Sequence, residues 1–193
     1  MKKYRFLVVS GPTREPLDPV RFLSNYSTGV MGKHLHDAAK KRGHAVTWVR
    51  CPEDAETAKD LLKKLSALAP KHDALLMAAA VADARPAVYS TQKIKKDGLG
   101  TIRLVKNPDV LAALARRKKR GQVFIGFALE TRDLFENAFA KLEKKGLDAI
   151  VLQQVTHEAR PFGDRKIGAY ILDARGGSTG FEAVEKRRLA GVL

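Results

Sequence analysis

The sequence predicts an α/β domain built on a doubly wound, mostly parallel sheet with helices on both faces. Two observations lead to this fold class. Apolar segments of strand length alternate with helical segments along the 193 residues, and most of these apolar segments lack a polar face. Strands that are apolar on both sides are typical of a parallel sheet covered by helices on each face. We therefore expect one Rossmann-like domain over residues 1–193, with ligands bound at the carboxyl ends of its strands.

The expected strands and helices follow one another in regular order. Segments rich in Val, Ile, Leu and Ala predict strands at 5–10, 45–49, 74–82, 123–128, 149–152 and 169–173. Apolar residues at helical spacing predict helices at 29–42, 57–68, 109–119 and 133–145. Asn107-Pro108-Asp109 has the composition of a helix start, and Gly146 that of a residue just after a helix end.

Two segments do not fit this alternation. Residues 87–105 contain two β-like runs on either side of Asp97-Gly98, which predicts a protruding β-hairpin that serves as an arm or a lid. Residues 176–193 are rich in glycine and then in charge, and we expect them to form a mobile tail.

Charge and composition limit the function classes. The formal charge of +15 favours anionic partners, including nucleic acid, anionic membranes and phosphate-rich small molecules. Aromatic residues make up only 7% of the chain and lie mainly in core patterns, which argues against a nucleic-acid-binding surface. No apolar run has the length of a membrane span, and the single cysteine, Cys51, permits a reducing cytoplasm.

Polar residues with affinity for anions follow the first strand. Asn25, Ser27, Thr28 and Gly29 precede the first helix, where backbone N–H groups lack helical partners and the helix dipole is positive. This combination predicts an anion-binding turn. A simple Ser or Thr cap would also explain one of the hydroxyls.

Later strands are also followed by candidate ligand-binding residues. Asp83 follows the third strand and could bind Mg²⁺, accept a hydrogen bond from a ribose hydroxyl, or cap a turn. Phe127, expected just after the fourth strand, could border a nucleobase or belong to the core. Lys141 and Lys145 share one face of a helix, as ligands or as solvated lysines.

The order of these motifs resembles phosphopantothenoylcysteine synthetase, the phosphopantothenate–cysteine ligase family of coenzyme A biosynthesis. The resemblance covers about residues 6–173 and rests on GPTREPLDPVRFLSNYSTGVMG, AAAVADARP, KIKK, VKNPDVLAAL, GFALET and LDAIVLQ in that succession. It implies a two-step reaction. The carboxylate of 4′-phosphopantothenate attacks CTP and forms an acyl-cytidylate with release of pyrophosphate, and the amine of cysteine then displaces CMP.

The resemblance also implies partners and a location. It implies the free-standing, CTP-dependent bacterial type of the enzyme, a cytoplasmic homodimer that uses CTP as co-substrate together with Mg²⁺. The flavin-dependent decarboxylase to which many family members are fused does not fit in 193 residues. We therefore expect the decarboxylase that acts downstream to be a separate protein.

The resemblance assigns roles to individual residues. Asn25 matches the asparagine that handles the acyl-nucleotide intermediate, and Ala79 matches an alanine that lines its site. Lys93, the first lysine of KIKK, would clamp the phosphates. The positions that match the nucleotide site are Asp83, Lys93, Pro108, Asp109, Val110, Leu111, Phe127, Lys141 and Lys145. Ser27, Thr28 and Gly29 would form an anion cradle, and the metal ligands stay unassigned.

Three segments depart from the family pattern. Val30 stands where the family usually has the lysine of SSGKMG, and Leu152-Gln153-Gln154-Val155 stands where it usually has ANDV. The family's FG-S-D-x-N loop is reduced here to Phe162-Gly163-Asp164. A nicotinamide-dependent reductase of the same fold class is the alternative enzyme, but the chain lacks the G-x-G-x-x-G fingerprint of dinucleotide binding. A basic nucleic-acid-binding protein is the alternative without catalysis.

Overall fold

A computed structural model describes residues 2–193 of the chain. Its strands are β1 (Arg5–Pro12), β2 (Arg14–Pro16), β3 (Phe22–Ser24), β4 (Ala45–Arg50), β5 (Ala74–Ala80), β6 (Ala84–Pro86), β7 (Leu104–Lys106), β8 (Val123–Glu130), β9 (Ala149–Gln154), β10 (Ile167–Asp173) and β11 (Ser178–Val184). Its α-helices are α1 (Val30–Lys41), α2 (Ala58–Leu68), α3 (Val110–Ala115), α4 (Leu134–Lys144) and α5 (Lys186–Val192). Short 3-10 helices cover Ala69–Lys71 and Lys96–Gly98.

The main sheet has seven strands in the order β11-β10-β9-β8-β5-β1-β4. The five strands from β4 to β9 in this order are parallel, and β10 and β11 add antiparallel strands at one edge. The fold class predicted from the sequence is therefore confirmed. The strand order reverses at β1, which has β4 on one side and β5 on the other, and this switch point is where open α/β sheets form a ligand crevice.

Alternate residues of the strands enter two hydrophobic cores, one on each face of the sheet. Leu7 and Val9 of β1 belong to the core beneath α2, α3 and α4. Val8, between them, belongs to the core beneath α1 and α5, together with Leu35 and Leu189. Because Leu7, Val8 and Val9 are fully buried, the centre of β1 is apolar on both faces, which is the pattern that predicted the strand.

Two glycines bring the start of α1 close to the sheet. Gly29 is the N-cap residue and has φ +71°, a left-handed conformation that favours glycine. A Cβ atom on Gly32 would lie 2.1 Å from the Cβ atom of Ser10 in β1, so only glycine fits at this crossing. The first turn of α1 therefore lies directly against the carboxyl-terminal half of β1.

Several predicted boundaries are wrong. There is no tight hairpin turning at Asp97-Gly98, because these residues form part of a 3-10 helix in a long loop that is closed by the short β6–β7 pair. The expected tail instead contains β11, which pairs with β10, and α5, which packs against α1. Helix α3 ends at Ala115 rather than residue 119, since the backbone N–H groups of Arg117 and Lys118 donate to carbonyl oxygens three residues back, as in a 3-10 turn.

The loop at 87–103 is attached to the turn that follows β2. The backbone N–H groups of Ser90 and Ile94 donate to Leu17 O (3.0 Å) and to the Asp18 carboxylate (3.2 Å). Arg21 donates to Ile94 O at 2.8 Å. Its guanidinium pairs with Asp18 and holds the pKa of that buried carboxyl well below its usual range.

None of the helices among residues 2–193 has the length and apolar character needed to span a membrane.

Candidate functional site

A cleft follows the carboxyl ends of the parallel strands and contains three adjoining cavities. The large cavity, about 510 Å³, lies over the ends of β5 and β8, between residues 25–26, the start of α3 and the lysines of α4. The small cavity, about 140 Å³, lies at the start of α1 and is bounded by β9 and α5. The third cavity, about 390 Å³, lies on the other side of the start of α1, over the ends of β1 and β4.

The large cavity brings together nearly all residues that the sequence singled out for a nucleotide site. Its lining includes Asn25, Ala79, Asp83, Pro108, Asp109, Val110, Leu111, Phe127, Lys141 and Lys145. Lys93 is the exception, since it lies on the 87–103 loop and lines none of the described cavities. Ser27, Thr28 and Gly29 line the small and third cavities instead.

Asn25 reaches the large cavity from the segment after β3. Its side-chain Nδ2 donates to Ala80 O at 3.3 Å, which ties the amide to the last residue of β5. The same strand end is held by Thr13, whose backbone N–H donates to Ala80 O and whose Oγ1 accepts from the Ala82 N–H at 2.9 Å. The amide of Asn25 is therefore fixed against a rigid strand end.

The start of α3 forms another wall of the large cavity. Asp109 caps the helix by accepting from the Ala112 N–H at 3.1 Å, which confirms the cap expected here. Asn107, which the sequence interpretation treated only as a cap candidate, also lines the cavity, and its Nδ2 donates to Ala82 O at 2.9 Å. Among residues 2–193 the Asp83 side chain has no hydrogen-bond donor or cation paired with it, so its carboxylate can accept from a ligand.

Lys141 and Lys145 line the cavity side by side, and both are ion-paired. Lys141 pairs with Glu130 at the end of β8, and Lys145 Nζ lies 3.1 Å from the Asp109 carboxylate. The two carboxylates hold the lysines at the cavity wall, where both side chains stay partly exposed. Phe127 lies inside β8, within the strand predicted at 123–128, because β8 continues to Glu130, and its side chain borders both the large and the small cavity.

The small cavity has an apolar lining with hydrogen-bond donors at the start of α1 and at Lys186. Gly29, the N-cap residue of α1, gives no side-chain cap, and no neighbouring side chain in the described chain caps the helix in its place. The cap interpretation of Ser27 and Thr28 is therefore wrong, and the first N–H groups of α1 are available to a ligand. No carboxylate is among the described residues that line this cavity.

Lys186 is a buried lysine that the sequence interpretation missed. Its Nζ donates to Pro161 O at 2.6 Å and also to Gly163 O, and the residue is only 5% exposed. Burial lowers the pKa of Lys186, while the nearby Asp164 carboxylate opposes this shift. The KRR run that contains it looks like a solvated helix face, so only the docking of α5 reveals its position beside the small cavity.

Phe162 separates the small cavity from the large cavity and lines both. The carbonyl bonds of Lys186 hold the residues on either side of it, and Tyr26 packs against its ring at 5.8 Å between centroids. His34 hydrogen-bonds to Asp164 at 3.0 Å and attaches the same loop to α1. The shortened family motif at 162–164 is therefore still part of the cleft.

The third cavity has a mixed lining, with Arg14, Lys33 and Arg50 around Trp48. Cys51 also lines this cavity. Burial together with nearby carboxylates raises the pKa of the Cys51 thiol to about 12. A thiol with this pKa is a poor nucleophile at neutral pH. Cys51 is therefore a structural residue.

The donor set of the cleft fits a metal ion that arrives with a phosphate ligand. Within the described part of the chain no group of three or more His, Cys, Asp and Glu side chains could hold a metal. In the large cavity only two carboxylates, Asp83 and Asp109, line the wall among residues 2–193, and Asp109 is already engaged. In proteins, Mg²⁺ is usually held by one or two carboxylates together with substrate phosphates. Asp83 can supply such a carboxylate.

A family model described as DNA/pantothenate metabolism flavoprotein C-terminal domain matches the chain over residues 1–193. This chain belongs to that family. The resemblance stated from the sequence motifs is thus confirmed at the level of the family. A solved structure entitled the C-terminal domain of coenzyme A biosynthesis bifunctional protein CoaBC has the same fold, with a TM-score of 0.78, 28% identity, and coverage of 98% of this chain and 91% of that one.

Two curated relatives show how much of a longer protein this family domain represents. A cysteine/cysteine sulfinic acid decarboxylase from an unknown prokaryotic organism is 38% identical over 96% of this chain and 55% of its own length. The bifunctional protein CoaBC of Vibrio parahaemolyticus is 39% identical over 81% of this chain and 43% of its own length. The chain therefore spans about half the length of the curated relatives it matches.

Proposed function

We propose that this chain is a phosphopantothenate–cysteine ligase domain that activates its acyl substrate with CTP. The carboxylate of 4′-phosphopantothenate attacks the α-phosphorus of CTP and displaces pyrophosphate. The amine of cysteine then attacks the acyl carbon, CMP leaves, and the amide forms. One observation carries the proposal: nearly all residues that the motifs assign to the nucleotide site, scattered from Asp83 to Lys145, line a single cavity together with Asn25, and Lys93 is the exception.

The nucleotide is proposed to occupy the large cavity. Lys141 and Lys145 supply cationic donors, the ring of Phe127 supplies an apolar wall, and backbone N–H and C=O groups at the start of α3 lie opposite. Asp83 supplies the free carboxylate. Asp83 would be the protein ligand of Mg²⁺, and the bound ion would supply positive charge that offsets the charge of the triphosphate.

Asn25 is proposed to orient the acyl-nucleotide for attack by cysteine. Its amide is fixed at the end of β5 by the bond to Ala80 O, so little reorganisation is needed when the intermediate forms. Ala79, on the same strand, lines both cavities, and its short side chain permits close approach of a ligand to the backbone. The acyl group would therefore pass between Asn25 and Ala79.

The proposal also includes a homodimer of this domain. Exposed apolar side chains cluster on the two short strand pairs and their loops: Val20, Phe22, Leu23, Val88, Tyr89, Ile102 and Leu104. We propose that a second copy of the chain covers this face, because monomeric proteins rarely expose contiguous apolar surface of this kind. Lys93 lies on the same loop and lines none of the described cavities, and we propose that it reaches the phosphates within this assembly. The decarboxylase acting downstream remains an expected partner.

The substitution Asn25→Asp tests the proposed chemistry. It replaces the amide by a carboxylate of equal size, which repels the anionic intermediate. The first half-reaction should persist as a burst of pyrophosphate, whereas formation of the ligated product should fall by at least about a hundredfold, the scale of losing one preorganised donor. The assay incubates the protein with 4′-phosphopantothenate, CTP, Mg²⁺ and cysteine, and detects CMP, pyrophosphate and product by mass spectrometry.

Gln154→Glu is the matched control, since it makes the same amide-to-acid change at an exposed position on β9. It should form product at the rate of the unmodified protein. Undiminished product formation by Asn25→Asp would contradict the role of Asn25. Absence of both CMP and product with the unmodified protein would contradict the proposed function itself.

A further inference from the structure

Lys186 is a buried cation that the proposed chemistry does not use. It is the first residue of α5 and is only 5% exposed. Its Nζ donates to Pro161 O at 2.6 Å and also to Gly163 O, and among residues 2–193 no other donor is bonded to either oxygen. Lysine is seldom buried to this extent, so the two carbonyl bonds that it makes there need an explanation.

The backbone of Lys186 belongs to a rigid part of the fold. Strand β11 ends two residues before it and pairs with β10, and α5 packs against α1. Leu189 and Ala190, which follow Lys186 in α5, are buried in the core beneath α1. The side chain of Lys186 therefore extends from a fixed position, and its bonds can hold a less regular segment in place.

The loop that Lys186 binds has few other attachments. Within residues 160–166, none of the backbone N–H groups donates a hydrogen bond in the described structure. The exposed side chain of Asp164 bonds to His34 at 3.0 Å. Of these hydrogen bonds, only those of Lys186 come from a fully buried side chain. The position of Phe162, at the centre of the loop, thus depends mainly on Lys186.

Phe162 lies between the two carbonyl groups that Lys186 binds, and its ring borders both the small and the large cavity. The ring packs against Tyr26, but Tyr26 is itself 76% exposed and gives little support. On the proposed function, the nucleotide fills the large cavity and the pantothenoyl portion extends into the small cavity. The acyl carbon of the intermediate then lies beside the ring of Phe162.

We propose that Lys186 is a positioning residue for the ligation: by binding Pro161 O and Gly163 O, it keeps Phe162 where the ring excludes water from the acyl-cytidylate. This inference rests on the proposed function. The reaction that it prevents is hydrolysis, in which water attacks the acyl carbon, the bond from that carbon to the CMP oxygen breaks, and CMP and 4′-phosphopantothenate are released. Hydrolysis and ligation release the same CMP, but only ligation yields the amide.

The test measures how much amide is formed for each CMP released. Lys186→Met keeps the length of the side chain and removes the ammonium, and Phe162→Ala removes the ring but leaves Lys186 in place. Arg187→Met is the matched control, because it removes a positive charge from the next residue of α5, which is exposed. Each protein is incubated with 4′-phosphopantothenate, CTP, Mg²⁺ and cysteine, and amide, CMP and pyrophosphate are quantified by mass spectrometry.

Lys186→Met should lower the ratio of amide to CMP by at least about threefold, because water then competes with cysteine for the acyl carbon. CMP and pyrophosphate should stay equal, and a higher cysteine concentration should restore the ratio. Arg187→Met should keep the ratio of the unmodified protein. Loss of folded protein lowers amide and CMP together, so a role of Lys186 in stability alone would leave the ratio unchanged.

A double variant shows whether Lys186 acts through Phe162. Phe162→Ala should lower the ratio as Lys186→Met does, and the two substitutions together should lower it no further, because both remove the same barrier to water. Losses that add in the double variant would overturn the inference. CMP released by Lys186→Met without 4′-phosphopantothenate would overturn it too, since water would then be attacking CTP.

An unchanged ratio in Lys186→Met would overturn the inference alone, provided that the unmodified protein forms the amide. An unchanged ratio in Phe162→Ala would do the same, even if Lys186→Met does not fold. Absence of amide with the unmodified protein would overturn the proposed function and this inference with it.

Discussion

The substitution Gly32→Ala should destabilise the protein and disturb the small cavity together. The added Cβ atom would lie 2.1 Å from the Cβ atom of Ser10, and the nearest backbone atom of Ser10 is at 3.3 Å. The two Cβ atoms would have to separate by about 1.3 Å to reach the 3.4 Å at which ordinary contacts begin. Ser10 cannot retreat, because β1 is hydrogen-bonded between β4 and β5, so α1 must move.

The magnitude follows from two opposing effects. Overpacking of this kind costs about 1–3 kcal/mol, and replacing glycine by alanine in a helix returns about 0.5–1 kcal/mol. At the midpoints of these ranges the net loss in the free energy of unfolding should be about 1 kcal/mol, which corresponds to a fall in Tm of about 2–4 °C for a domain of this size. Displacement of the first turn of α1 should also weaken binding of 4′-phosphopantothenate.

Urea denaturation followed by circular dichroism measures the stability. The control is Gly191→Ala in α5, where a Cβ atom would meet nothing within 4 Å, and this variant should be as stable as the unmodified protein or slightly more stable. If Gly32→Ala matches Gly191→Ala in stability, the close approach of α1 to β1 is not what requires glycine at this position, and the reasoning fails.

Two further predictions concern the nucleotide and the assembly. The kcat/KM for CTP should exceed that for ATP by at least about tenfold, and this preference should shrink in Lys141→Ala and Lys145→Ala but not in the exposed control Lys144→Ala. Equal use of CTP and ATP by the unmodified protein would contradict the assignment of the base. Analytical ultracentrifugation should find a dimer, and Val88→Glu should weaken this dimer without lowering the monomer's Tm, because Val88 is 71% exposed on the apolar face. A monomer at all concentrations would contradict the proposed interface.

The sequence predicted the parallel part of the sheet because those strands are buried on both faces and carry a continuous apolar pattern. The strand pairs β2–β3 and β6–β7 were missed, since three-residue strands leave no periodicity. Strand β11 was also missed, because most of its residues are exposed and its position depends on pairing with β10. Local patterns thus predicted the elements whose burial is regular along the chain.

The same distinction applies to the site. Asp83 could be predicted because it follows a parallel strand, and the carboxyl ends of parallel strands meet at one edge of the sheet. Asn25 follows a short antiparallel strand, and its place was expected from the resemblance and from the helix start that comes after it. The position of Lys186 could not be predicted. Its burial depends on how α5 docks and on the loop that carries Phe162, and neither contact leaves a local pattern in the sequence.

On the proposed function, the reacting atoms must meet where the two cavities join. The side chains that line both cavities are apolar: Ala79, Ala80, Phe127, Leu129 and Phe162. An acyl-cytidylate is a reactive anhydride, and water at this junction would hydrolyse it before cysteine arrives. An apolar junction with charged groups confined to its two ends excludes water from the reacting carbon while binding both phosphate-bearing portions. Asn25, fixed at Ala80 O, is then a polar side chain positioned at the edge of this junction, where the tetrahedral oxyanion of the second step would need a donor.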